Sequence, residues 1–364
     1  MSTMPVPTAT HQSDDEIFEH AARLVSLPKA APANSFELHA PLELLARRIL
    51  LDRVDARRRD AARQRISWVA ETYAQSSATA EDADGDPPSV TPDELVASLS
   101  AAAHAPIFSW LLPRVERRSP AATALARPLM HELDRHRDWK IEWIDAQPLT
   151  GSGDDDALTR ALLDTPRLGV PGSDFIFPIM HQVDSKGVAA DVIGPVLGSG
   201  TDLDAAARAI ARVAAWSMLQ DNPAHAPYGW THCLTLAQAA ANMAPRTDDP
   251  LRAVAVAATH VVGFRAALSN ALVGDSYDPE PTAVDALEAL DAPPQIAAAA
   301  VHHASAGALA AITTELASRA AVQPDAHVAK YTLACFDAAD ADPDHRRLFL
   351  SAAAFLHGWW AQAG

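Results

Sequence analysis

The chain has 364 residues, with 46 acidic against 29 basic side chains and a formal net charge of −17. That length implies two or three structural units and a sizeable core. The charge argues against a nucleic-acid or anionic-membrane partner, and only two cysteines exclude a disulfide framework. Alanine makes up about a fifth of the residues, which favours helix, and lysine is confined to Lys29, Lys140, Lys186 and Lys330.

Apolar residues recur at i, i+3 and i+4 through most of the chain, and alternating β-branched runs are almost absent. The expected fold is therefore all-α, a multi-helix bundle with two helical halves. Helices are expected near 14–27, 40–55, 58–75, 92–103, 106–117, 120–138, 154–164, 202–221, 229–244, 249–273, 282–291, 294–319, 324–341 and 344–362. Ser13-Asp14-Asp15-Glu16 and Thr91-Pro92-Asp93-Glu94 carry N-cap signals with acidic first turns. Residues 1–34 form an N-terminal segment, 35–150 a first helical half and 201–364 a second, both within one functional unit. Between them, 151–200 reads as an irregular connection, rich in glycine and proline around the aromatic island Asp174-Phe175-Ile176-Phe177-Pro178. The polar, acidic stretch from Ser76 to Ser89 reads as a mobile surface loop. No secretory signal or run of about 18 apolar residues is visible, so a cytoplasmic, reduced protein is expected.

Several chemical motifs fail on spacing. His131-Glu132-Leu133-Asp134-Arg135-His136 places its histidines at i and i+5, whereas a zinc-protease helix needs i and i+4; a solvated face is the better reading. The acidic runs beginning at Asp14 and Asp154 sit at helix starts, where carboxylates meet the helix dipole. Cys233 and Cys335 are isolated, and no His-Asp dipeptide, nucleophile elbow, phosphate loop or dinucleotide fingerprint occurs. Any NADPH requirement would therefore involve transient binding.

What stands out is a set of histidines within apolar helical segments: His39, His104, His232, His260 and His327. In helix bundles, metal ligands project inward from facing helices, and imidazole is the usual nitrogen donor. His327 and Lys330 lie at i and i+3, so both heads can reach one point. Val328, Ala329, Tyr331 and Leu333 around Lys330 imply burial, which favours a neutral amine able to take up carbon dioxide as a carbamate. The competing reading treats each histidine as a hydrogen-bonded core residue. His302-His303 point about 100° apart, so at most one, taken as His303, can face a centre. His11, His20, His136, His345 and His357 stand in charged or terminal contexts and read as surface residues, with His181 and His225 in loops. Tyr228, Trp230, Phe264 and Tyr331 lie near these ligands in sequence and are candidate linings of an aromatic pocket.

The order His39-Ala40-Pro41, Thr231-His232-Cys233-Leu234, Thr259-His260-Val261-Val262 and His327-Val328-Ala329-Lys330-Tyr331-Thr332 resembles the questin oxidase-like family. Its members oxidise aromatic polyketides and anthraquinones by oxygen insertion or ring opening, and a subgroup uses non-haem iron held by four histidines and a carboxylated lysine. The resemblance implies His39, His232, His260 and His327 as imidazole ligands, Lys330 as the carbamate, Fe(II) as cofactor, and dioxygen with a small aromatic substrate as partners. Where the family has His-Gly-Leu-Ile-Arg, this chain has His232-Cys233-Leu234-Thr235-Leu236, and His104 is an alternative fourth ligand. Zinc suits the same donors, which leaves a zinc hydrolase or lyase, and a non-catalytic helical binding protein, as the alternatives.

Overall fold

A computed structural model describes residues 12–81, 91 and 104–363. The expected helix at 92–103 and most of the Ser76–Ser89 loop lie outside the described residues. Among those described, the chain forms sixteen α-helices and no sheet. Among the described residues only the isolated bridges Lys29–Thr79 and Thr150–Gly198 pair strand-like backbone.

In chain order the helices are α1 (Asp14–Val25), α2 (Ser35–Leu51), α3 (Arg59–Ser76), α4 (His104–Leu111), α5 (Ala126–Arg135), α6 (Trp143–Ala146), α7 (Asp155–Leu163) and α8 (Ile176–Ser185). They continue as α9 (Val188–Ile193), α10 (Leu203–Gln220), α11 (Thr231–Met243), α12 (Pro250–Leu268), α13 (Pro294–His303), α14 (Leu309–Val322), α15 (Ala326–Ala341) and α16 (Arg346–Ala363).

Local chemistry sets many of the starts. Ser13 with Glu16 and Asn34 with Glu37 close reciprocal capping boxes at α1 and α2. Asp154 caps α7, so the acidic runs at Asp14 and Asp154 are helix-start chemistry; Asp14 and Asp15 also pair with Arg63 and Arg48.

The packing differs from the sequence expectation in four places. The connection at 151–200 contains α8 and α9, because Ile176, Ile179, Met180 and Val183 give α8 an apolar face that packs on α12. The single helix expected at 294–319 is broken after His303 and resumes at Leu309. The segment 282–291 holds only a short 3₁₀ turn, Glu288–Asp291. In the His131–His136 motif, α5 ends at Arg135, and Glu132 is buried against Arg135 instead of facing solvent.

One continuous apolar core runs through the molecule and includes residues from α1 to α16. At its centre α11 packs between α4, α10, α12 and α15, and α15 packs against α2 and α16. α12 is long and apolar enough to cross a membrane by length and composition, contrary to the sequence expectation, and 89 % of that window is buried inside the protein. Near the connection, Gly151 and Gly153 donate to the carbonyls of Leu197 and Val196 at 2.7 and 2.9 Å. A Cβ on Gly151 would stand 2.6 Å from the Pro195 backbone, so only glycine permits that approach.

Candidate metal centre

The central helices bring four imidazoles together: His39 from α2, His104 from the first residue of α4, His232 from α11 and His327 from α15. The rings of His39 and His104, and of His39 and His327, are 4.6 Å apart; His232 is 5.0 Å from His327 and 6.2 Å from His104. Ligand nitrogens of His39, His104 and His232 all lie within 4.8 Å of one another. His39, His104 and His232 are buried.

The ring orientations have a common cause. His39 Nδ1 donates to the Ser35 carbonyl at 2.5 Å, His232 Nδ1 to the Tyr228 carbonyl, and His260 Nδ1 to the Val256 carbonyl at 2.9 Å. Each bond runs four residues back along the helix. A π-helical turn, Ala226–Trp230, leads into α11 and supplies the Tyr228 carbonyl. His327 instead donates Nδ1–H to Asp325 Oδ1 at 2.9 Å. With the proton held on Nδ1, the Nε2 lone pair is left for another partner. Such an outer hydrogen bond is the arrangement that orients imidazole ligands.

Lys330 lies fully buried one turn beyond His327, and its Nζ finds no hydrogen-bond partner among the described residues. Burial pushes its pKa down to about 7, against the opposing charges of Asp325 and Glu43. Burial, and then the nearness of Lys330, holds His232 at about 4 and keeps His39 and His327 well below the ordinary histidine range. His39, His232 and His327 are therefore neutral at pH 7 and competent to donate a lone pair.

The set fits a divalent metal ion. His39 Nε2 and Lys330 Nζ are buried polar atoms without a protein partner, and such groups are rare unless something else satisfies them. His260 Nε2 is likewise unpartnered, but His260, near enough to His232 to influence it, does not line the cavity and shares no ring contact with the four. His303 is exposed, with Nε2 2.6 Å from the Pro279 carbonyl, and does not border the cluster.

A cavity of about 640 Å³ opens onto the imidazoles. His39, His104, His232 and His327 line it together with Leu38, Phe175, Phe177 and Tyr228. Phe175 is 71 % exposed and Tyr228 53 %, a wet aromatic rim over an apolar interior. Of the four aromatic residues expected to line a pocket, Tyr228 does so. Phe264 stacks behind His232 at 5.6 Å, while Trp230 and Tyr331 are fully buried away from the opening. The lining contributed by Phe175 and Phe177 was visible in sequence only as an aromatic island, because the register of α8 on α12 decides which way it faces.

His357, expected at the surface, is 5 % exposed, since α16 is buried along most of its length against α13 and α15. Comparisons with protein-family models, curated proteins and solved structures found no match.

Proposed function

We propose that the chain is a metal-dependent oxygenase of a small aromatic metabolite, with non-haem iron as its metal. The observation that carries the metal reading is the gathering of four imidazoles in the wall of a largely apolar cavity, with the partnerless buried Lys330 close enough to be felt by three of them. The redox assignment rests on the motif order that resembles the questin oxidase-like family.

His39, His104, His232 and His327 would hold the ion, with Lys330 as a fifth donor and His260 outside the cavity wall. With a pKa near 7, Lys330 is substantially a free amine at neutral pH. Its nitrogen can add to carbon dioxide, forming the N–C bond and releasing one proton, and the resulting carbamate presents an anionic oxygen. Bound Fe(II) would supply the site's capacity to activate dioxygen. Nitrogen and carboxylate-type oxygen donors suit Fe(II) and also zinc.

The remaining residues bind and shield. Phe175, Phe177 and Tyr228 offer aromatic faces to a flat ring entering the cavity. Phe264 packs on His232 and keeps water from its outer face.

The test is metal analysis of protein purified without a histidine tag. Iron near one per chain, lost in H327A and K330A, is the expected result. Zinc near one per chain would move the assignment to a hydrolase or lyase. Failure to take up either metal would overturn the metal reading and leave a helical binding protein.

A further inference from the structure

We propose that Asp325 is a positioning residue that fixes the tautomer and direction of His327 at the metal centre. This rests on the metal reading above.

Asp325 has two partners on one oxygen. Its Oδ1 accepts the backbone N–H of His327 at 2.6 Å, capping α15, and the His327 Nδ1–H at 2.9 Å. His39 and His260 anchor Nδ1 to a backbone carbonyl of their own helix, and His232 to Tyr228 in the π-helical turn continuous with α11. His327 lies in the first turn of α15, where the residue four positions earlier, Gln323, precedes the helix and gives its carbonyl to Arg47. A side chain must therefore supply the acceptor, and Asp325 does.

The turn that carries Asp325 is itself held in place. Arg47 of α2, with no exposed surface, donates to the carbonyls of Ala320, Ala321 and Gln323 at 3.1, 2.6 and 2.5 Å. Arg65 of α3 donates to Pro324 O at 2.6 Å, and both guanidinium groups share Glu43, which is 1 % exposed. These bonds satisfy carbonyls that the end of α14 leaves open. They also tie α2, which carries His39, to the turn that starts α15, which carries His327 and Lys330. Burying Arg47 with Glu43 is costly unless the charges are paired, and the pair, with the part-buried Arg65 bridging to Pro324, acts as a strut between two ligand-bearing helices.

Capping and ring orientation can be separated by substitution. Serine caps a helix about as well as aspartate but is too short to serve His327 Nδ1 as well; asparagine keeps both acceptor functions. Zn²⁺ and Co²⁺ affinities would be measured by chelator competition in bicarbonate buffer on the full chain, with the visible Co²⁺ spectrum and thermal midpoint recorded alongside. D325S should melt like the wild type yet bind metal about 10- to 100-fold more weakly, with an altered Co²⁺ spectrum. D325N should stay within about threefold of wild type, as expected of a retained acceptor. Wild-type affinity in D325S, or D325N no better than D325S, would overturn the assignment. If D325S fails to fold, D325N against D325A decides in the same way. Absence of Zn²⁺ and Co²⁺ binding by the wild type would instead remove the metal reading, and this inference with it.

Discussion

A buried histidine outside the candidate metal centre gives a clean measure of how the core treats charge. His357 on α16 places Nε2 3.3 Å from Thr332 Oγ1 of α15. Burial, aided by Arg319 and opposed by Glu315 and Asp291, lowers its pKa to about 3. In the unfolded chain the value is about 6.5. Between those limits the unfolded chain binds one proton that the folded chain does not. The stability due to neutral His357 is therefore fully present above pH 6.5 and is lost as the pH falls toward 3. The slope approaches about 1.4 kcal/mol per pH unit, which sums to about 2.6 kcal/mol between pH 7.5 and 4.5. In H357Q the amide nitrogen can stand where Nε2 stood but takes up no proton. Urea titrations of both proteins across pH 4.5–7.5, with chelator present, should show the variant gaining on the wild type by that amount as the pH falls. The other buried histidines contribute equally to both curves and cancel. Parallel curves would refute the reasoning.

Three other outcomes are expected. G151A should lower stability by about 1–3 kcal/mol, read as a fall in melting temperature, because its Cβ would meet the Pro195 backbone at 2.6 Å; an unchanged midpoint would contradict the packing. Cys233 and Cys335 are buried and their thiol pKa values are pushed up, so a thiol reagent should label neither in the native protein and both in denaturant. F175A, at an exposed rim position, should leave stability within about 0.5 kcal/mol while weakening a naphthol probe of the cavity by about 0.5–1.5 kcal/mol; equal binding would remove Phe175 from the site.

The periodicity of the sequence exposed the helices because each carries an apolar stripe, and the starts of α1 and α7 fell within a residue of expectation. α2 instead begins at Ser35, five residues before the expected start, because the Asn34–Glu37 capping box sets it there. The ligand candidates were legible as histidines in apolar surroundings. Their ranking was less so. His260 and His104 both lie in apolar segments, but helix packing places His104 against His39 in the cavity wall and leaves His260 out of that wall. Only the crossing of α4 over α11 decides this, and no local pattern encodes it. His357 misled for a related reason: its closeness to the C-terminus says nothing of the two helices that cover it. Asp325 carried no distinguishing signal in the sequence, because its partnership with His327 Nδ1 depends on rotamer and packing.

The spread of the imidazoles along the chain has a consequence for timing. His39 and Lys330 stand 291 positions apart, with the other ligands between them. At roughly 5–20 residues per second, about 15 to 60 s of synthesis separate the two. During that interval the nascent chain carries an incomplete ligand set, and α2 lacks the α15 surface against which it packs. The centre therefore closes as one of the last events of folding. On the metal reading proposed above, loading is expected only after residues 327–330 have been made, with the apoprotein as the species that meets the ion.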